Sequence, residues 1–162
     1  MSEIDDTPAV IAPPPLLALA ALVLGLLLDW IAPAYVLYLL LSLAERIVIG
    51  VALITAGAAL IVVGERNFHR AGTEVKPWRS STALVSNGIY TYIRNPMYVG
   101  ATLLLGGLGV ALASDWTLVM TVAFVGVIHF WVIKREERYL EAKFGDTYRA
   151  YKARVPRYGW PF

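Results

Sequence analysis

Residues able to do chemistry gather in a few short stretches of this chain. The first is Arg94-Asn95-Pro96-Met97-Tyr98, within the polar, Gly- and Pro-punctuated run 86–100 that opens onto an apolar segment. Pro96 biases Asn95 toward extended backbone and suits the first turn of a helix, where its missing N–H costs nothing. Asn95 then lies beside unpaired helix N–H groups, a favourable place for a ligand carboxylate. The plainer alternative is an ordinary helix start, with Tyr98 at an interface and Arg94 reaching for water. The second stretch is Glu136-Glu137, adjacent carboxylates flanked by Lys134, Arg135 and Arg138. It reads either as a solvated ion-pair cluster or as a carboxylate pair meeting a cationic or hydroxyl-rich ligand. The third is Tyr148, Tyr151 and Arg154, whose spacing of three puts them near one helix face, for lipid headgroups or for a substrate. His129 stands alone in an apolar run; an ionisable group there is a functional candidate, with a neutral, hydrogen-bonded imidazole as the alternative.

These residues need elements to hold them, and the elements are apolar. Of 162 residues, 58% are hydrophobic, and they come in long blocks; a soluble domain has about 45–50%. The blocks predict four membrane spans: Leu16–Ile31, Ile47–Gly64, Tyr98–Ala113 and Trp116–Ile133. Pro33 breaks the chain after the first, and 34–43 is too short to cross, which makes it an interfacial or re-entrant piece. Gly50, Ala52, Ala56, Gly57 and Ala59 would let the second span pack closely against a neighbour, a second copy of the chain included. The run 71–83 reads as a loop. Residues 134–154 read as a charged amphipathic helix, interrupted at Phe144-Gly145-Asp146 and ended by Pro156. Residues 1–15 form an acidic leader and 16–162 one domain. The expected fold is therefore all-α and integral to a membrane, with four transmembrane helices and a C-terminal amphipathic helix.

Charge then orients it. Every Lys and Arg except Arg46 lies either between the second and third spans or in the tail. The positive-inside rule places both of those segments, and both termini, in the cytoplasm, where loop and tail can build one site at the membrane surface. Composition narrows the chemistry further. Cysteine is absent, which excludes disulfides and thiolate catalysis. Two histidines argue against a zinc site. No metal and no nucleic-acid partner is expected.

Taken in order, the motifs resemble the membrane-embedded isoprenylcysteine carboxyl methyltransferase and phospholipid methyltransferase superfamily. The resemblance spans 66–161 and rests on Arg70-Ala71-Gly72-Thr73, Leu84-Val85 with Gly88 and Tyr90, Arg94-Asn95-Pro96-Met97-Tyr98 with Gly100, Glu136-Glu137, and Phe144-Gly145-Asp146 with Tyr148, Tyr151 and Arg154-Val155-Pro156. It implies that S-adenosylmethionine, leaving as S-adenosylhomocysteine, is held in a cytosolic pocket by Val85, Gly88, Tyr90, Arg94, Asn95, Pro96, Tyr98, Glu136 and Glu137. It implies a lipid-like acceptor, with Arg154 where the carboxyl methyltransferase branch meets the substrate carboxylate. Asn95 departs from the His of that branch, and the Asn-Pro-Met-Tyr form also resembles the phospholipid N-methyltransferase branch.

The acceptor decides which residues are catalytic. A carboxylate is already ionised at neutral pH and needs only a cation such as Arg154 to orient it. An amine must lose a proton and needs a base, for which Glu137, Tyr98 and His129 are candidates. The leading expectation is carboxyl methylation of an isoprenylcysteine-like lipid, then N-methylation of phosphatidylethanolamine, then a non-catalytic lipid-binding module.

Overall fold

The computed structural model describes residues 12–72 and 83–159, and within them the backbone is helix joined by short turns. The order is α1 (Pro14–Ile31), α2 (Val36–Leu40), α3 (Leu43–Arg70), a 3-10 turn (Gly88–Thr91), α4 (Pro96–Ala111), α5 (Asp115–Val127), a π-helical turn (Ile128–Ile133) and α6 (Lys134–Arg154). The leader residues 1–11, and 73–82 of the expected loop, lie outside the described residues.

Helix α1 begins two residues before the expected Leu16, because Pro14 and Pro15 occupy its first positions, where a fixed φ is preorganised for helix. The expected interfacial piece contains the single turn α2. Three helical stretches among the described residues are long and apolar enough to cross a membrane: α1, α3 and the continuous rod Asp115–Arg154. Helix α4 has 16 residues, a rise of about 24 Å against the ~30 Å of a hydrocarbon core. It is apolar but shorter than the other three.

Glycine sets the tightest packing. Gly50, Gly57 and Gly64 recur every seventh residue of α3, and α4 answers with Gly100 and Gly107. A Cβ on Gly57 would sit 2.5 Å from the Gly100 carbonyl oxygen, and one on Gly100 would sit 2.6 Å from that of Gly57. The two backbones therefore touch, and neither position tolerates a side chain. The small-residue run of the second span serves a partner within the chain, while Ala52, Ala56 and Ala59 stay exposed. Helices α1 and α5 pack against each other and α5 against α4. Leu105, Phe124, Ile128, Val132 and Ile133 form the buried core between them.

Gly145 interrupts α6 as expected, with φ 53° and ψ −128°. The helix faces of α6 do not follow the expected grouping. Tyr148, Tyr151 and Val155 are buried together, and Arg154 is exposed. At about 100° per residue, seven residues return to within about 20° of the starting face, whereas six end about 120° away from it. The seven-residue step from Tyr148 reaches Val155, and Arg154 lies one residue short.

Candidate functional site

The site lies at the end of the bundle where α3 finishes, α4 starts and the rod passes from apolar to charged. Each part of the loop before α4 is tied down. The Asn67 side chain, buried near the end of α3, donates to the Asn87 carbonyl at 3.0 Å. It lies where any Cβ on Gly88 would fall, and Gly88 itself has a φ of +57°, so glycine is required twice over. On the other side, the Tyr151 hydroxyl of α6 donates to the Tyr90 carbonyl at 2.7 Å, and Phe68 meets the Tyr90 ring edge to face. Val85 and Tyr90 are buried as a result. Pro96 occupies the first turn of α4, as its φ restriction predicts.

Glu136 and Glu137, adjacent in sequence, face different partners. Glu136 accepts from the Tyr98 hydroxyl at 2.9 Å. Burial pushes its carboxyl up from 4.5 to about 7, the Tyr98 hydrogen bond opposing the rise and the Glu137 charge adding to it. Glu137 accepts from Arg94 Nη1 at 2.7 Å and takes a two-pronged contact from Arg157, Nε at 2.8 Å and Nη2 at 2.7 Å. Burial alone would raise the Glu137 carboxyl. The Arg157 hydrogen bonds and the charges of Arg94, Arg157 and Lys152 outweigh it and hold the group below its ordinary value. Tyr148, beneath the pair, is pushed up to about 12, by burial first and by the Glu137 charge next.

The pair thus divides into a neutral-leaning carboxyl and a firmly ionised one, separated by partners rather than by distance. Two buried atoms here have no hydrogen-bond partner among the described residues, the Tyr90 hydroxyl and Arg94 Nε. Tyr98 and Met97 also line an apolar groove of about 570 Å³ between α1, α3 and α4, walled by Leu19, Ile61 and Leu105 with Glu65 at its polar end. Its volume suits a lipid chain or a drug-sized ligand.

Most of the expected site residues come together: Val85, Tyr90, Arg94, Pro96, Tyr98, Glu136 and Glu137 are buried or half-buried in one region. Gly88 seats the loop. Asn95 reaches backbone rather than open space, its side chain donating to the Arg157 carbonyl at 3.2 Å. Arg154 stands apart, exposed, with its Nε donating back to the Ala150 carbonyl at 3.3 Å. The tail residue that meets the carboxylate pair is Arg157. Sequence reasoning had grouped it with the other basic residues; its one signal was its place just after Pro156, where the chain must leave the helix and turn. The Tyr158 hydroxyl, also unforeseen, lies 2.6 Å from His129 Nδ1. Several remaining charges are surface pairs, such as Lys152 with Glu141 and Arg149 with Asp146, the plain reading of a charge run.

Comparison with known proteins places this architecture. The phospholipid methyltransferase family model matches residues 45–147, from the first turn of α3 into α6. The chain belongs to the phospholipid methyltransferase family. It is also 38% identical over 76 residues to the protein-S-isoprenylcysteine O-methyltransferase of Schizosaccharomyces pombe, a stretch covering 45% of this chain and 31% of that one. An uncharacterized protein of Haemophilus influenzae is 40% identical over 62 residues, 38% of this chain and 98% of that protein. The first of these stretches spans about a third of the enzyme it matches. No solved structure matches the chain. The membership fits the wider superfamily that the motifs resemble, and the described residues include three helices long and apolar enough to cross a membrane.

Proposed function

We propose that the protein transfers a methyl group from S-adenosylmethionine to a lipid-like acceptor at the cytoplasmic surface of a cell membrane. One observation carries this reading: a polar cluster with unpartnered buried atoms, Tyr90 Oη and Arg94 Nε, adjoins an apolar groove of about 570 Å³ at Tyr98. The cofactor is water-soluble and the acceptor is not, so each reaches the junction from its own phase. The cluster fits the cofactor. Arg94 offers a donor for a carboxylate, Glu136 and Glu137 offer acceptors for an ammonium, and the loop 84–91 supplies buried walls. Bound there, the sulfonium supplies an electrophilic methyl for in-line displacement. The protein's part is chiefly alignment, worth up to about 7–11 kcal/mol in a well-held pair.

The acceptor of the leading reading is a carboxylate on an isoprenylcysteine-like lipid, in line with the name of the Schizosaccharomyces pombe relative. A second reading, methylation of an amine headgroup, is favoured by Glu136. An amine must shed a proton, and a carboxyl at about 7 beside the groove is matched to take it. Parallel assays with S-farnesylcysteine and with phosphatidylethanolamine vesicles, following labelled methyl, decide between them. The four-span topology, with both termini inside, is part of the same proposal, supported by the clustering of basic residues. A homodimer would have to use a face other than the glycine seam, which α4 fills.

Calorimetric titration of detergent-purified protein with S-adenosylmethionine and S-adenosylhomocysteine tests the core claim, beside a Glu136→Ala/Glu137→Ala double variant. Binding by the wild type and its loss in the variant are expected. A folded wild type that binds neither would overturn the proposal and leave a non-catalytic lipid-binding module.

A further inference from the structure

The residues after α6 form a strap across the site. The Pro156 carbonyl accepts from the Arg94 backbone N–H at 3.0 Å. The Arg157 carbonyl accepts from the Asn95 side chain at 3.2 Å. The Tyr158 hydroxyl lies 2.6 Å from His129 Nδ1. A Cβ on Gly159 would stand 3.0 Å from Ile93. Between these anchors Arg157 turns inward onto Glu137.

The charges gathered there do not balance. Two guanidinium groups, Arg94 and Arg157, share one ionised carboxylate, with side chains 9%, 28% and 11% exposed. The next carboxyl, Glu136, is committed to Tyr98. Lys152, which adds to the positive field at Glu137, is already paired with Glu141. A partly desolvated surplus of one positive charge is costly unless an anion meets it. The donors for that anion are present. Arg94 Nε is buried without a partner among the described residues, and a guanidinium has more N–H groups than the two that Arg157 spends on Glu137.

We propose that Arg157 is a ligand-binding residue of this site, which with Arg94 receives the carboxylate of a bound ligand. For the cofactor this rests on the methyltransferase reading, since the methionyl end of S-adenosylmethionine carries such a carboxylate. A free acid on the acceptor has the same chemistry. Both sources use the strap, so the segment after α6 is part of the site rather than a tail.

Two ligand pairs that differ only at the carboxylate separate the sources: S-adenosylmethionine with its decarboxylated form, and S-farnesylcysteine with its methyl ester. Binding of each is measured calorimetrically to the wild type, Arg157→Ala and Arg157→Lys. Loss of a charge-assisted hydrogen bond predicts that Arg157→Ala weakens S-adenosylmethionine about 10- to 100-fold, leaves the decarboxylated form unchanged, and so erases the wild type's preference for the acid. Arg157→Lys, which keeps the charge without the fork, should lie between, and it stands in if the alanine variant does not fold. The same pattern confined to the farnesylcysteine pair assigns the carboxylate to the acceptor and also upholds the role. Equal weakening within both pairs makes Arg157 merely structural and overturns the proposal, as does no weakening at all. A wild type that binds neither cofactor form removes the methyltransferase reading, while the farnesylcysteine pair still decides Arg157. Binding of none of the four probes overturns both.

Discussion

The two ends of the bundle are built from similar residues to opposite effect. At the far end, Asp29 contacts Ser114 and accepts from the Trp116 N–H at 3.4 Å. Ser114 caps α5 by accepting from the Thr117 N–H at 3.1 Å. Asp115 accepts from the Val36 and Leu37 N–H groups at 2.9 and 3.0 Å, and Glu45 closes a capping box with Ser42. These carboxylates and hydroxyls meet the orphan donors that every helix start leaves. At the site end, no side chain caps α4, and the carboxylates face two arginines and a tyrosine instead. Polar groups spent on helix ends stabilise a fold, and polar groups withheld from them are free to meet a ligand. Arg46 is the far end's one discordant residue. It is buried against the Tyr38 ring, with its Nε unpartnered among the described residues.

The sharpest way to break this contrast is Glu137→Ala. It leaves Arg94 and Arg157 facing each other without their anion, and should cost about 3–5 kcal/mol in thermal unfolding of the solubilised protein, together with cofactor binding. Removing a carboxylate at the far end should do less and differently. Asp115→Ala forfeits the cap of α2, worth about 1–2 kcal/mol, and cofactor titrations of that variant should match the wild type. A loss of binding there would erase the distinction between the ends.

Proton linkage separates the neighbours Glu136 and Glu137. The folded value of Glu136 lies above its ordinary one, so between pH 4.5 and 7 the folded chain holds more protons than the unfolded chain. Its contribution therefore falls as pH rises through that window. Glu137 has the opposite sign: its contribution is present above pH 4.5 and is lost on acidification below it. Melting curves across pH should show the first decline in the wild type and not in Glu136→Gln; a decline that survives the substitution assigns it elsewhere. The smallest effect belongs to Arg154→Ala. An exposed side chain bonded only to its own helix should cost under about 0.5 kcal/mol and leave the KM for S-farnesylcysteine within about twofold. A larger rise in that KM would give Arg154 the acceptor-carboxylate role that the family resemblance implies for it.

How much of this was legible follows the range of the forces involved. Hydropathy and proline chemistry act locally, so the apolar helices, the start at Pro96 and the break at Gly145 could be read from neighbouring residues. The site was legible as a set of motifs because the loop, the carboxylate pair and the tail each carry their own local pattern. Their pairing was not. Nothing near Arg157 announces Glu137, twenty residues earlier, because the contact depends on a strap that turns back only after the helix is complete. The family resemblance points to Arg154 instead, and the spacing of three that groups it with Tyr148 and Tyr151 runs along a helix whose buried face repeats in sevens. The glycines of α3 announced close packing but not the identity of the partner.

The π-helical turn at Ile128–Ile133 has a consequence for how such a chain can change by insertion and deletion. A π turn accommodates one residue more than the α-helix around it. Losing a single residue there would restore plain α-helix and leave everything downstream close to its present azimuth, whereas losing one from the α-helical stretch Asp115–Val127 would swing everything downstream by about 100°. After a deletion in Asp115–Val127, Glu136 and Glu137 would leave Tyr98 and Arg94 without any site residue being altered. The azimuth of the carboxylate pair is thus stored in the residue count of the apolar rod, and a one-residue deletion before the π turn should silence the site, while one within that turn should be tolerated.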